Sequence, residues 1–274
     1  MTVPSSAAVT VHPYAVRRIG ATNWRGVWTL YLREVRRFVK VLLQTVLAPA
    51  VTSMLFLLIF TVAIGGKGRI SLPVDFGTFL VPGLVMMTIL QNAFANTSSS
   101  ILIGKVHGSI IDVLMPPLSA GELTFSYTMG GVTRGVLCAI AVVVPAALFV
   151  HVGVSHFWAI LYFGLSGAVM MSLFGEMTAI WADKFDHSAA INNFVIIPLS
   201  FLSGTFYSIE RLPPTAQLIS HFNPFFYLID GFRYGFIGYA DSHLALGVTV
   251  TLAVNALLWA ACYLMFRSGY KLKA

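Results

Sequence analysis

Six apolar runs dominate this chain, and they leave it few ways to fold. They extend over Val41–Ile64, Phe79–Ile101, Leu123–Val150, His156–Trp181, Ala189–Ser203 and Leu244–Phe266. A helix needs about 20 apolar residues to cross a bilayer, and all but the fifth run meet that length. Inside lipid every backbone N–H and C=O must be satisfied within the protein, so runs of this kind form helices. Charged residues make up only 10% of the chain, against roughly 25% in soluble domains. The expected fold is an all-α polytopic membrane protein, one bundle of six transmembrane helices with little mass outside the membrane. Residues 1–22 are expected to be a disordered tail and residues 23–274 the membrane domain. The first run starts too late and is too long for the apolar core of a cleavable signal peptide.

The net charge of +7 would suggest a nucleic-acid partner in a soluble protein. Here the placement of the charges matters more, and no nucleic acid is expected. Seven of the 17 basic residues (Arg17, Arg18, Arg25, Arg33, Arg36, Arg37 and Lys40) precede the first run. With the N-terminus inside, Lys105, Lys184, Arg267, Lys271 and Lys273 join them on the cytoplasmic side. Lys67, Arg69, Arg211 and Arg233 fall outside, and Arg134 lies within a run. The positive-inside rule then puts both termini in the cytoplasm.

Ahead of the first run, Trp24, Val27, Trp28, Tyr31, Leu32, Val35, Phe38 and Val39 recur at helical spacing, with basic residues on much of the other face. This predicts an amphipathic helix lying in the headgroup layer of the membrane lipid. It can be a plain basic anchor, a docking surface for a cytoplasmic partner, or both.

Signs of catalysis are missing. Gly65-Gly66-Lys67-Gly68 lacks the spacing and context of a phosphate-binding loop and reads as an external turn. The histidines are scattered near run boundaries without metal-ligand spacing, and no nucleophile motif accompanies the serines. Cys138 and Cys262 both fall inside apolar runs and are expected to be small buried side chains. The chain is therefore read as a non-enzyme, with no cofactor and no metal of its own.

The stretch Gly104 to Leu123 between the second and third runs is more informative. Ile110, Ile111, Val113 and Leu114 could give a short helix an apolar side, with Lys105, His107, Ser109 and Asp112 supplying polar groups. Pro116-Pro117 ends it. It is either a helix that passes force to a soluble partner or an ordinary connection. Two charges sit within runs, Arg134 and Glu176. Burying them is costly, so they pair with each other, snorkel to the interface, or meet substrate. Gly131 and Gly135, with Gly164 and Gly167, would allow close helix approach.

After the fifth run, Ser203-Gly204 and Pro213-Pro214 break the helix. Aromatics then alternate with Asp230, Arg233 and Asp241, which excludes a simple lipid-facing span. A helical hairpin dipping into the outer leaflet satisfies both constraints. Here the sequence resembles a family. FLSGTFYSIERLPP (Phe201 to Pro214) followed by HFNPFFYLIDGFRYGFIG (His221 to Gly238) is similar to the C-terminal signature of type-2 ATP-binding-cassette transporter permeases. WADKFDH (Trp181 to His187), LYLREVRRF (Leu30 to Phe38) and the MPPLS after Leu114 fit the same pattern, over roughly Trp24 to the C-terminus. Ser208 departs from it, where many relatives carry proline.

The resemblance implies a permease subunit of an exporter in a bacterial cytoplasmic (inner) membrane, moving a drug, lipid or lipid-linked glycan outward. It implies a homodimer carried on two copies of a separate ATPase, which would hold the ATP and Mg. It also implies roles. Arg33, Glu34 and Arg37, with Gly104, Lys105, His107, Ile110, Ile111, Asp112 and Leu114, would couple to the ATPase. Ser203, Gly204, Phe206, Tyr207, Leu212, Pro213, Asn223, Pro224 and Arg233 would form the outer gate, and Arg134 and Glu176 are intramembrane polar residues. A rival reading is an ATP-independent secondary transporter or channel. Sparse intramembrane charge and the absence of an inverted repeat in the hydropathy stand against it. An intramembrane enzyme is the third, disfavoured because no nucleophile is paired with a base.

Overall fold

The computed structural model describes residues 20–65, 75–150, 152–209 and 213–272. The described residues form eleven α-helices and no strand. They are α1 (Trp24–Val39), α2 (Ala48–Gly65), α3 (Phe76–Val106), α4 (Ile110–Leu114), α5 (Ala120–Phe149) and α6 (Phe157–Trp181). The remainder are α7 (Phe185–Ile191), α8 (Ile197–Leu202), α9 (Pro214–Phe222), α10 (Pro224–Ile237) and α11 (Leu244–Ser268). Five-residue π-helical segments, Leu43–Leu47 and Asn192–Ile196, lead directly into α2 and α8.

Five of these helical stretches are long and apolar enough to cross a membrane: Leu43–Val62, α3, α5, α6 and α11. They match five of the six expected runs, and α3 extends well past Ile101. The fifth expected run, Ala189–Ser203, lies in a helical stretch built from three pieces between Phe185 and Leu202. The expected tail up to residue 19, the Gly66-Lys67-Gly68 part of the turn and Leu212 lie outside the described residues.

The bundle is organised around α3. Most of its 31 residues are buried, packed between α5 and α6. Its apolar positions Leu80, Leu84, Val85, Ile89, Leu90 and Phe94 belong to one core with Phe163, Met170, Leu228 and Phe232. Gly175 lets α6 press on the α3 backbone. A Cβ there would stand 2.7 Å from the Phe94 carbonyl oxygen, inside van der Waals contact. Gly131 of α5 likewise faces Ser172 of α6, the close approach expected from the small-residue spacing. Cys138 and Cys262 are both buried, as expected.

Caps fix the ends that matter. Asn23 accepts a hydrogen bond from Gly26 N at 3.0 Å at the start of α1. Ser119 and Glu122 form a reciprocal capping box at the start of α5, which satisfies two otherwise orphaned donors. Glu122 also accepts from Asn23 N, so the first turns of α1 and α5 are tied together. At the opposite end of the bundle, α10 is almost wholly buried against α3, α6 and α11. Between the last two expected runs lie two helices, α9 and α10, joined at Asn223.

Candidate functional site

Three regions bring together the residues singled out from the sequence. The first is the end of the bundle formed by α1 and α4. The buried stripe of α1 is Val27, Leu30, Glu34 and Phe38, while Trp24 and Trp28 are 70% and 59% exposed. The predicted apolar face thus divides: Val27 and Phe38 are buried, Tyr31, Leu32 and Val35 are half-buried, and Trp24, Trp28 and Val39 are turned out. Glu34 is 0% exposed. Its Oε2 lies 3.4 Å from Arg37 Nε. Arg37 in turn donates to the Asn96 carbonyl oxygen at 2.7 Å, to Asn96 Oδ1 at 2.9 Å and to Ser99 Oγ at 3.1 Å. A buried carboxylate is therefore paired rather than stranded, and its partner ties α1 to α3.

In α4, Ile110 and Val113 are buried, and Ile111 and Asp112 are exposed. Gly104 packs under Ile110, whose Cδ1 would be 3.5 Å from a Cβ. His107 is exposed and Leu114 half-buried. Lys105 turns inward: Nζ donates to the carbonyls of Ala179, Ile180 and Ala182 at 3.1, 2.7 and 2.6 Å. That is a cation closing the C-terminus of α6, where the helix dipole favours it. Between the helices runs a groove of about 350 Å³, with Arg25, Thr29 and Arg33 on one wall and Asp112, Val113 and Pro116 on the other. Of the residues expected at a docking surface, Arg33 and Asp112 line this groove and Ile111 and His107 stand exposed. Glu34 and Ile110 are buried beneath it.

The sequence reading did not anticipate a clasp at the same end. Lys271, beyond α11, donates to Asp183 Oδ2 at 3.0 Å and to the Trp181 carbonyl at 3.1 Å. The Lys271 hydrogen bond holds the Asp183 carboxyl below its ordinary range.

The second region is the α9–α10 hairpin. Arg233 is 2% exposed. Its Nη2 donates to the Gly204 carbonyl at 2.6 Å, and its guanidinium lies 3.9 Å from the centroid of the Phe79 ring. Gly204 has φ +76°, a conformation that side chains with a Cβ rarely adopt. Asn223 donates to the Leu199 carbonyl at 3.0 Å and to Ser203 Oγ at 2.7 Å. Its Oδ1 caps α10 at Phe225 N, and Pro224 occupies the first turn, where its missing N–H costs nothing. Phe206 stacks on Phe60 of α2, with centroids 4.9 Å apart. Tyr207 Oη donates to the Phe201 carbonyl, and Pro213 opens α9.

Sequence reasoning missed the second half of this hub. Asp230 is buried and accepts from Asp241 N, Ser242 N and Ser242 Oγ at 2.6 to 2.9 Å. Asp241 accepts from Ser208 Oγ at 3.0 Å and Ile209 N at 3.2 Å. The signal available was a lone Asp in an aromatic run, which needs protein donors to be buried at all.

The third region is inside the bundle. Arg134 and Glu176 do not pair. Glu176 is fully buried and accepts from Thr128 Oγ1 at 2.7 Å, while Arg134 Nη2 donates to Asn92 Oδ1 at 3.2 Å. Among the described residues the ion pairs are Arg37–Glu34 and Lys271–Asp183 alone. Pairing fails because Thr128 lies on α5 beside Glu176, and Asn92 lies on α3 beside Arg134. Next to them a cavity of about 640 Å³ opens between α2, α3 and the α7 stretch. Gln44, Ser53, Thr88, Gln91, Asn92 and Asn192 are among its polar lining, with Phe56, Met87 and Phe94 among its apolar lining.

Comparison with known proteins agrees over most of the chain. Residues 25–237 match the family described as ABC-2 type transporter. The chain is 33% identical over 252 residues to the inner membrane transport permease YadH of Escherichia coli K12, covering 92% of this chain and 98% of that protein. It is 25% identical over 238 residues to nodulation protein J of Rhizobium leguminosarum bv. viciae, covering 84% and 88%. Nodulation protein J of Neorhizobium galegae is 24% identical over 226 residues.

Proposed function

This chain belongs to the ABC-2 type transporter family, and from that premise we propose that it is the permease subunit of an exporter. Residues 23–274 form its membrane domain, placed in the bacterial inner membrane with both termini in the cytoplasm. It works as a homodimer on two copies of a separate ATPase, which binds ATP and Mg and supplies the energy. Its cargo is a hydrophobic or amphipathic molecule moved outward.

The observation that carries this reading is the open groove between α1 and α4. A soluble partner needs a surface to push, and that surface must connect to the spanning helices. The groove supplies the surface through Arg33 and Asp112, and Ile111 adds an exposed apolar side chain on α4. Arg37 supplies the connection, since a guanidinium bonded to Asn96 and Ser99 passes a shift of α1 directly to α3. α3 lines the cavity along Thr88, Gln91 and Asn92 and contacts the hairpin where Thr205 O meets Gly83. Gate movement at Ser203, Gly204, Phe206 and Arg233 is thus mechanically linked to the cytoplasmic end. The exposed apolar positions of the first span, with Phe194 and Val195, suit a second copy facing the cavity.

The test is co-purification followed by reconstitution. The chain should bring down an ATPase that hydrolyses ATP, and Asp112→Arg should leave hydrolysis while abolishing transport. Normal transport by the chain alone, without ATP, would refute the proposal.

A further inference from the structure

Arg134 carries a charge that no carboxylate among the described residues balances. It stands 14 residues past Ala120 in a 30-residue helix, roughly 21 Å along the axis at 1.5 Å per residue. That is near the middle of a hydrocarbon layer about 30 Å thick, beyond what snorkelling spans. Its Nη2 donates to the neutral Asn92 Oδ1 at 3.2 Å, and its buried Nε has no hydrogen-bond partner among the described residues. The neighbouring Cys138 thiol donates its proton to the Thr45 carbonyl at 3.4 Å and contributes no anion.

The chain has ten Asp and Glu residues, and the described ones are all accounted for elsewhere. Asp75 caps the far end of α3. Asp112, Glu122, Asp183 and Asp186 lie at the α4 end of the bundle, and Asp230 and Asp241 belong to the hairpin hub. Glu34 is held against Arg37 and Glu176 against Thr128, both 0% exposed. A second copy could therefore present neither of its intramembrane acids to Arg134. A half-buried arginine within a spanning helix nonetheless requires compensation.

The missing charge has a place to come from. Asn92, the residue that occupies Arg134, lines the 640 Å³ cavity. The wall continues through Asn92 Nδ2 to the Thr88 carbonyl at 3.0 Å, and from Thr88 Oγ1 to Ser53 Oγ at 3.1 Å. Among the described residues no Asp, Glu, Lys or Arg lines the cavity itself, and its remaining surface is largely apolar. We propose that Arg134, which stands behind the cavity wall and reaches it through Asn92, is a specificity-determining residue, selecting an amphiphile whose head bears an anionic group such as a phosphate or carboxylate. Asn92 Oδ1 holds the acceptor position on the guanidinium. The anionic head takes that position when it binds, accepting from the guanidinium while hydroxyl and amide groups of the wall bond the rest of the head. The apolar tail lies against Phe56, Met87 and Phe94.

This rests on the transport reading, and its test separates the two. The permease is purified with its ATPase and placed in phosphatidylcholine nanodiscs, and binding of decyl phosphate is compared with that of uncharged decylglycerol. Failure of the ATPase to co-purify would count against the transport reading alone. In the intact complex, decyl phosphate should bind about ten-fold tighter than decylglycerol, the difference expected of one charge-assisted contact. Arg134→Gln should erase that preference while decylglycerol binding moves little, and Arg134→Lys should keep part of it. Excess inorganic phosphate should not displace decyl phosphate; displacement would mean a free-anion site and overturn the proposal. Equal binding of both probes to the wild type, or equal loss of both in Arg134→Gln, would overturn it too.

Discussion

Two arginines, Arg233 buried and Arg134 half-buried, show how differently one side chain can be used within a single bundle. In the hairpin, Arg233 has a backbone carbonyl, an aromatic face and Asp230 three residues away on the same helix. At mid-bundle, Arg134 has one neutral amide oxygen. The first is a structural rivet whose charge the protein itself absorbs. The second is left short, beside a cavity. A charge satisfied by its own fold points to stability, and one left unsatisfied at membrane depth points to a ligand.

Substitutions can break that contrast, and the largest effect should come from the rivet. Arg233→Met leaves the Gly204 carbonyl and Asp230 buried without their cation. It should cost about 3 kcal/mol or more, read as a fall in the thermal midpoint of the detergent-solubilised protein. Glu34→Ala should come next, at roughly 2–3 kcal/mol, because it strands the Arg37 charge at the α1–α3 contact. Gly204→Ala should cost about 1–2 kcal/mol, since a Cβ at φ +76° is strained. Arg134→Gln should cost little, under about 1 kcal/mol, because its amide can still bond Asn92. A loss as large as that of Arg233→Met would erase the distinction between the two arginines.

The smallest effect concerns the Asp183–Lys271 clasp. Asp183 has an ordinary value of 3.8 and is held lower by the Lys271 hydrogen bond. Its contribution is present above that value and lost as pH falls through the lowered one. Asp183→Asn should therefore match the wild type at strongly acid pH and differ slightly at neutral pH, and salt should shrink the difference.

Much of the hairpin was legible beforehand. Ser203-Gly204, Asn223-Pro224 and Arg233 are local signals with local causes: a left-handed glycine, an Asx cap followed by proline, and a charge that cannot face lipid. The runs were legible for a similar reason, since apolar length is a property of one segment. What sequence could not supply was register between segments. Helical spacing marked α1 as amphipathic but could not say that Glu34 turns inward while Trp24 and Trp28 turn out. Pairing of Arg134 and Glu176 was one of three readings, and only the fold shows that Glu176 bonds Thr128 and Arg134 bonds Asn92 instead. Lys105 read as a surface cation because its acceptors, the last carbonyls of α6, are more than 70 residues away.

The central claim is that force applied at the α1–α4 groove moves the spanning helices. The most direct measurement compares ATP hydrolysis and transport in liposomes holding the ATPase with either wild-type permease or Asp112→Arg. The account predicts that both activities occur with the wild type, and that hydrolysis persists without transport in the variant. Undiminished transport by Asp112→Arg, or transport by the permease with no ATPase present, would contradict it.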